Sequence, residues 1–344
     1  MAMSIMSIAE RVKHYSQGAA LLFLALLTAP QRQAESAVVV IRFTHVVAQD
    51  TPKGQMVQRL GELVSQRSGG RIRVDIFPDS RLYGDEDEME ALKLGAVEML
   101  APSLSKFGNV GLPEFEVFDL PFLFDDTQQV QRLIRGPVGR RLLAKLERQH
   151  MLGLGFLDNG FKQMSARKAL RTPADFKGLR LRVQSSGVLV AQMQALGAQA
   201  VVLPFGETRR ALALGVVDGT ENPLSNFLTQ GLAAVQPHVT LTRHGYLGYL
   251  VVTNSRFWAS LRPTDRELLR QCLQDALAFG NRKSAEMNQQ AQDSLARTSG
   301  VQLHSLTVAE RSALRKAVHP AYAAFERSVE PAFMRDVRRA LDAN

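Results

Sequence analysis

The stretch LRLRVQSS, at residues 179–186, joins a short apolar strand directly to the start of a helix. Its two serines can cap that helix, because a serine hydroxyl accepts a hydrogen bond from a free N–H of the first turn. Apolar residues then recur at helical spacing as far as Gly197, where we expect the helix to end. A strand that leads straight into a helix is the repeating unit of a sheet covered by helices, so this stretch predicts an α/β fold.

The same alternation opens the chain. A strand at residues 38–44 precedes a helix that begins at Pro52 and ends at Gly69, and a second strand follows at residues 71–77. The next predicted helix starts with the acidic run at residues 85–88, which suits the positive end of a helix dipole. This order predicts a mostly parallel sheet.

A second series follows a helix predicted at residues 127–149. Its predicted strands lie at residues 151–157, 179–183, 198–203 and 246–253. Long helices are predicted at residues 263–299 and from residue 307 to about residue 341. Two series without sequence repetition predict two lobes joined by strand crossovers that act as a hinge. We expect lobe I to comprise residues 38–159 and 248–287, and lobe II to comprise residues 160–247 and 288–344.

Residues 1–37 have the pattern of a secretory signal peptide. Basic residues such as Arg11 and Lys13 precede nine apolar residues at positions 19–27, and small and polar residues follow. Nine apolar residues are too few to cross a bilayer, which needs about 20. We therefore predict export to the periplasm, with cleavage after Ala37 or Ala29.

Composition narrows the possible functions. The 344 residues carry a formal net charge of +9, but the basic residues are scattered among acids and only 7% of residues are aromatic. Nucleic-acid binding usually shows a concentrated basic stripe, which this sequence lacks. The single cysteine, Cys272, excludes an internal disulfide and falls on the apolar side of a predicted helix, which favours a place in the core.

Three cations are placed where ligands of α/β sheets bind. Arg182 ends a predicted strand, Lys162 follows the predicted turn at residues 158–161, and Lys106 follows the polar segment at residues 102–105. The guanidinium of Arg182 offers a planar fork of donors that matches a carboxylate. The polar run DGTENP at residues 218–223 is predicted to be a turn. The sequence shows no phosphate-binding glycine loop, nucleophile elbow or zinc-helix motif, so we expect neither a cofactor nor a metal.

Nine segments carry a resemblance to a known family. They are FTHVV at 43–47, TPKG at 51–54, LYGD at 82–85, APSLSKF at 101–107, FEVFDLP at 115–121, DNGFKQMS at 158–165, LRVQSS at 181–186, DGTENP at 218–223 and HGYLGY at 244–249. In order and spacing, the chain resembles the solute-binding proteins of TRAP (tripartite ATP-independent periplasmic) transporters, most closely the C4-dicarboxylate (DctP-type) branch. The resemblance implies a two-lobed periplasmic-binding-protein-like fold, no enzymatic activity, and a TRAP-type membrane permease as partner.

The resemblance also implies a set of ligand-binding residues. Arg182 stands where the family's arginine pairs with the ligand carboxylate, and Asn222 stands where an asparagine helps to fix both. The other implied pocket residues are Lys162, Phe205, Ser103, Lys106, His45 and Val46. Three candidate cations exceed what one carboxylate needs, so we predict a C4-dicarboxylate such as succinate, malate or fumarate.

The sequence leaves two other functions open. A periplasmic lyase acting on a carboxylic acid would need a general base near the arginine, for which His45 or Glu207 is a candidate. A ligand-sensing partner of a membrane sensor would use the same fold and the same pocket.

Overall fold

The computed structural model describes residues 38–342. The predicted signal peptide at residues 1–37 lies outside these residues. Within the described part, no helix is both long enough and apolar enough to span a membrane.

The described residues form one mixed sheet. Its strands are β1 (Val39–Thr44), β2 (Ile72–Phe77), β3 (Met99–Leu100), β4 (Met151–Ala166), β5 (Arg180–Val183), β6 (Gln199–Val202), β7 (Gly219–Asn222), β8 (His238–Asn254) and β9 (Gln302–Ser305). The strand order is β2-β1-β3-β8-β4-β7-β5-β6, and β9 pairs with β8. The neighbours β2-β1-β3 and β7-β5-β6 are parallel, as the sequence predicts.

The middle of the sheet is antiparallel, which the prediction of a mostly parallel sheet missed. Strands β4 and β8 contain 16 and 17 residues and pair antiparallel along most of their length. The predicted turn at residues 158–161 is instead a register irregularity within β4, where Gly160 has a φ of 103°. Lys162 therefore lies inside a long strand and does not follow a strand end. The predicted turn at residues 218–223 is also wrong, since β7 occupies most of it.

Thirteen α-helices accompany the sheet in the described residues. They are α1 (Pro52–Ser68), α2 (Glu88–Leu94), α3 (Thr127–Arg135), α4 (Pro137–Lys145), α5 (Pro173–Phe176), α6 (Gly187–Ala195), α7 (Thr208–Ala213), α8 (Leu224–Thr229), α9 (Ser255–Ser260), α10 (Pro263–Arg297), α11 (Val308–Ala317), α12 (Pro320–Ser328) and α13 (Pro331–Asp342). The predicted caps are present: Thr51 accepts the N–H of Gly54, and Ser186 accepts the N–H of Leu189. The helix predicted at residues 127–149 is broken at Gly136, because Pro137 starts a new helix.

Helix α10 packs on α1 and on β4. Cys272 is fully buried there beside Leu269 and Leu273, in the same cluster as Met56. Gly280 permits the close approach, because a Cβ at this position would lie 2.8 Å from the Cβ of Met56. Met56 lies three residues after Lys53, which lines the cleft described next.

Candidate functional site

A narrow cleft with a cavity volume of about 20 Å³ lies where the ends of the parallel strands meet the antiparallel pair. Six charged side chains line it within the described residues: Lys53, Asp85, Lys106, Lys162, Arg182 and Glu221. The sequence placed three of these cations together, and the structure brings all three to the cleft. The three cations differ in their protein partners. A cation that already pairs with protein carboxylates has less capacity to bind a ligand carboxylate than one that does not.

Arg182, at the end of β5, is 2% exposed and has no acid as a hydrogen-bond partner. Its Nε and Nη2 atoms donate to the carbonyl oxygen of Leu203 at 3.0 and 2.8 Å, and its guanidinium lies 5.6 Å from the ring centroid of Phe205. Within residues 38–342, no carboxylate lies within 4 Å of it and no acceptor contacts its Nη1. Three of its five N–H groups are thus left for a ligand.

Burial lowers the pKa of Arg182, although the negative charges of Asp85 and Glu221 oppose this effect. An arginine remains charged in proteins despite such a shift. The chain therefore keeps a buried positive charge whose closest hydrogen-bond partner is a neutral carbonyl. An anionic ligand would supply the missing partner.

Lys162 is held by two acids. Its Nζ atom donates to Glu221 at 2.8 Å and to Asp119 at 3.1 Å, and all three side chains are 1% exposed. Glu221 also contacts Nε2 of His244 at 2.8 Å. Burial lowers the pKa of Lys162, but the charges of Glu221 and Asp119 outweigh it and the pKa is raised. Lys162 lines the cleft as a neutralised partner of two acids, and its direct contact with a ligand stays a prediction.

Lys106 is held in the same way. Its Nζ atom forms short contacts with the carboxylates of Asp85 and Glu88. The interpretation of residues 85–88 as acids of the first helical turn was therefore wrong for Asp85, because α2 begins only at Glu88 and the Asp85 carboxylate pairs with Lys106. Glu88 does lie in the first turn of α2, and its buried carboxylate also pairs with Lys106. Asp85 also accepts the backbone N–H of Phe205, which joins this ion pair to the opposite wall of the cleft.

Four more predicted residues line the cleft: Val46, Ser103, Phe205 and Asn222. Val46 packs on Phe205 as an apolar wall. Ser103 accepts a hydrogen bond from Nε2 of Gln184 at 2.9 Å. Asn222 donates to Thr220 at 3.3 Å, and within the described part of the chain it makes no hydrogen bond with Arg182. Asn222 thus lines the same cleft as Arg182 but does not hydrogen-bond to its guanidinium.

His45 lies outside the cleft lining. It is 1% exposed, and neither ring nitrogen has a hydrogen-bond partner among the described residues. Burial, with a contribution from the charge of Lys53, lowers the pKa of His45 to about 3. The ring is therefore neutral at physiological pH. Its predicted contact with a ligand would need a rearrangement of the cleft wall.

The sequence did not identify Lys53, the second residue of α1, as a site residue. A sequence signal for it existed: a lysine in the first turn of a helix opposes the helix dipole, so an unpaired one there needs a reason. In the structure its Nζ atom donates to the carbonyl oxygen of Ala101 at 3.0 Å and lies 4.0 Å from the ring centroid of Tyr249. Glu221 and His244 were missed too, because acid–base contacts between strands cannot be read from sequence spacing.

Comparisons with known proteins identify the family to which this chain is similar. A model of the family described as bacterial extracellular solute-binding protein, family 7, matches residues 43–328. The C4-dicarboxylate-binding periplasmic protein DctP of Rhodobacter capsulatus is 46% identical over 284 residues, which cover 83% of this chain and 85% of the relative.

Two crystal structures are also similar. A TRAP periplasmic solute-binding protein from Shewanella oneidensis with bound succinate matches with a TM-score of 0.86 and 41% identity, over 89% of this chain and 100% of that one. One from Pseudomonas aeruginosa with bound L-malate matches with a TM-score of 0.80 and 40% identity, over 83% of this chain and 99% of that one.

Proposed function

The chain belongs to family 7 of the bacterial extracellular solute-binding proteins, and from this premise we propose that it captures a C4-dicarboxylate for a TRAP transporter. Relatives that are named for C4-dicarboxylates, or whose structures hold succinate or L-malate, support the choice of ligand. The observation that carries the proposal is Arg182, a buried guanidinium that faces the cleft with three unused N–H groups and no acid beside it.

The energetics of the cleft are consistent with useful affinity. A charge-assisted hydrogen bond contributes roughly 1.5–3 kcal/mol net, and micromolar binding requires roughly 8 kcal/mol. Three or four such contacts to a dicarboxylate therefore contribute roughly 5–12 kcal/mol, a range that includes this requirement. Exclusion of water strengthens each contact, because charges interact more strongly at a low local dielectric constant.

We also propose that the two predicted lobes close around the ligand and that the closed form delivers it to a TRAP-type membrane permease. Residues 1–37 would direct export to the periplasm. The periplasmic names of the relatives support this location. The contacts of Asp85 with Phe205 and of Ser103 with Gln184, each between residues assigned to different predicted lobes, support closure across the cleft.

Isothermal titration calorimetry tests the ligand class. We expect succinate, L-malate and fumarate to release measurable heat with at most micromolar dissociation constants, while a neutral sugar releases none. Binding of the sugar, or of simple monocarboxylates, together with no heat from any C4 diacid would contradict the assignment.

The enzymatic alternative loses its two candidate bases. Glu207 is exposed and does not line the cleft. His45 also lies outside the lining and, with a pKa of about 3, is a weak base. We expect fumarate and L-malate to remain unchanged after long incubation with the protein. The sensor role uses the same binding step, and a membrane sensor that responds to this protein in place of a permease would support it.

A further inference from the structure

We propose that Lys53 is the second ligand-binding cation of the cleft and binds the carboxylate of the diacid that Arg182 does not hold. The inference rests on the proposed function, since it assumes a ligand with two carboxylates. In this proposal Lys53 of α1 binds the second carboxylate of the ligand. Lys106 and Lys162 are then positioning residues, which hold the protein carboxylates around the cleft.

The four cations of the cleft lining fall into two classes. Lys106 and Lys162 each contact two protein carboxylates, so their charge is already neutralised. Arg182 and Lys53 contact none within 4 Å in the described residues; each donates to a backbone carbonyl and lies over an aromatic ring. Two unpaired cations in one cleft match two carboxylates on one ligand.

The surroundings of Lys53 favour an incoming anion. Lys53 is 1% exposed, and its ammonium donates one of its three N–H groups to the carbonyl oxygen of Ala101. Two N–H groups remain for a ligand. The face of Tyr249 supports the cation without neutralising it. Burying an ammonium without an anionic partner costs free energy, and no protein carboxylate pairs with Lys53 in the described residues. A ligand carboxylate would supply this partner.

The ionisable groups that face Lys53 set its protonation. They are His45, Asp85, Glu88, Lys106 and Tyr249. Burial lowers the pKa of Lys53 to about 7; the charge of Lys106 acts in the same direction, and those of Glu88 and Asp85 oppose it. His45 is neutral, and burial raises the pKa of Tyr249, so the phenol also stays neutral.

This protonation has a consequence for binding. Above pH 7 part of the free protein has a neutral Lys53, and a bound carboxylate raises the pKa of the lysine. Binding at pH 8 should therefore take up close to one proton per ligand, whereas binding at pH 6, where Lys53 is already charged, should take up almost none. Between the pKa values of the free and bound forms, affinity should fall by up to about tenfold per pH unit as pH rises.

The test compares succinate with succinamate, its monoamide, which has nearly the same shape and one charge fewer. In the wild type we expect succinate to bind at least about 30-fold more tightly than succinamate, since the second carboxylate pairs with a buried cation. In Lys53→Met this preference should fall to about threefold or less. Lys177→Met, at an exposed lysine outside the cleft, should keep the wild-type preference.

Proton uptake provides the second readout, from calorimetry at pH 8 in two buffers of different ionisation enthalpy. We expect it in the wild type and in Lys177→Met, and not in Lys53→Met. If Lys53→Met does not fold, Lys53→Gln replaces it. An unchanged preference for succinate, an equal weakening of both ligands, or unchanged proton uptake would each overturn the role of Lys53. Absence of wild-type binding to every C4 diacid would instead contradict the proposed function.

Discussion

Replacing Arg182 by methionine is expected to weaken succinate binding by about 30- to 4,000-fold at pH 7. Truncation of one partner of a buried, hydrogen-bonded charge pair costs about 2–5 kcal/mol, and this range of free energy gives that range of dissociation constants. Arg182→Lys keeps the charge but loses the planar fork, so we expect an intermediate loss. Calorimetry or a thermal-shift titration with succinate measures both variants.

The free energy of unfolding should change little in Arg182→Met. The carbonyl of Leu203 loses its two donors, but the protein no longer buries a guanidinium without an acid partner. We expect these two effects to offset to within about 1–2 kcal/mol. Wild-type affinity in Arg182→Met would remove Arg182 from the site.

Arg180→Met is the matched control for this experiment. Arg180 lies two residues earlier on β5, and its Nη2 atom pairs with Asp218 at 3.0 Å, away from the cleft lining. We expect this variant to bind succinate as the wild type does. A loss of binding equal to that of Arg182→Met would mean that charge on β5, and not the placement of Arg182, governs affinity.

Local features of the fold could be predicted from the sequence because they depend on neighbouring residues. Thr51 with Pro52 marks the start of α1, and the serine pair before Gly187 marks the start of α6. The antiparallel pairing of β4 with β8 could not be predicted, since its length comes from contacts between residues about 90 positions apart and its irregularities resemble turns. For this reason the sequence predicted that Lys162 follows the end of a strand, whereas it lies within β4.

The same division applies to the site. Arg182 was found because a strand end and a cap are local signals, and the family resemblance indicated the same residue. Which lysines pair with protein acids could not be predicted, because Asp119, Glu221 and His244 come from three distant segments that only the folded chain brings together. The sequence thus predicted a surplus of cations, and the structure shows that acids neutralise two of them.

Replacing Lys162 by methionine should produce the largest loss of stability among the cleft variants, a decrease of about 3–5 kcal/mol in the free energy of unfolding at pH 7. The substitution leaves Asp119 and Glu221 both buried without the cation between them. At present the environment of Glu221 lowers its pKa to about 2: burial raises it, but Lys162 and His244 outweigh that effect. Denaturant unfolding of the ligand-free protein measures the loss.

Lowering the pH is expected to reduce the difference in unfolding free energy between Lys162→Met and the wild type. A loss caused by missing charge pairing depends on pH in this way, whereas a loss caused by missing packing does not. The low pKa of Glu221 gives the wild type a stability that is fully present above about pH 4.5 and is lost as pH falls toward 2. Lys162→Met lacks most of that contribution, so the two unfolding free energies should converge as pH falls from about 4.5 toward 2. The double variant Lys162→Met with Glu221→Gln should recover part of the loss at pH 7, since only one buried carboxylate then remains unpaired. A deficit that is constant with pH, or a single variant as stable as the wild type, would show that the two acids do not depend on Lys162 for their charge.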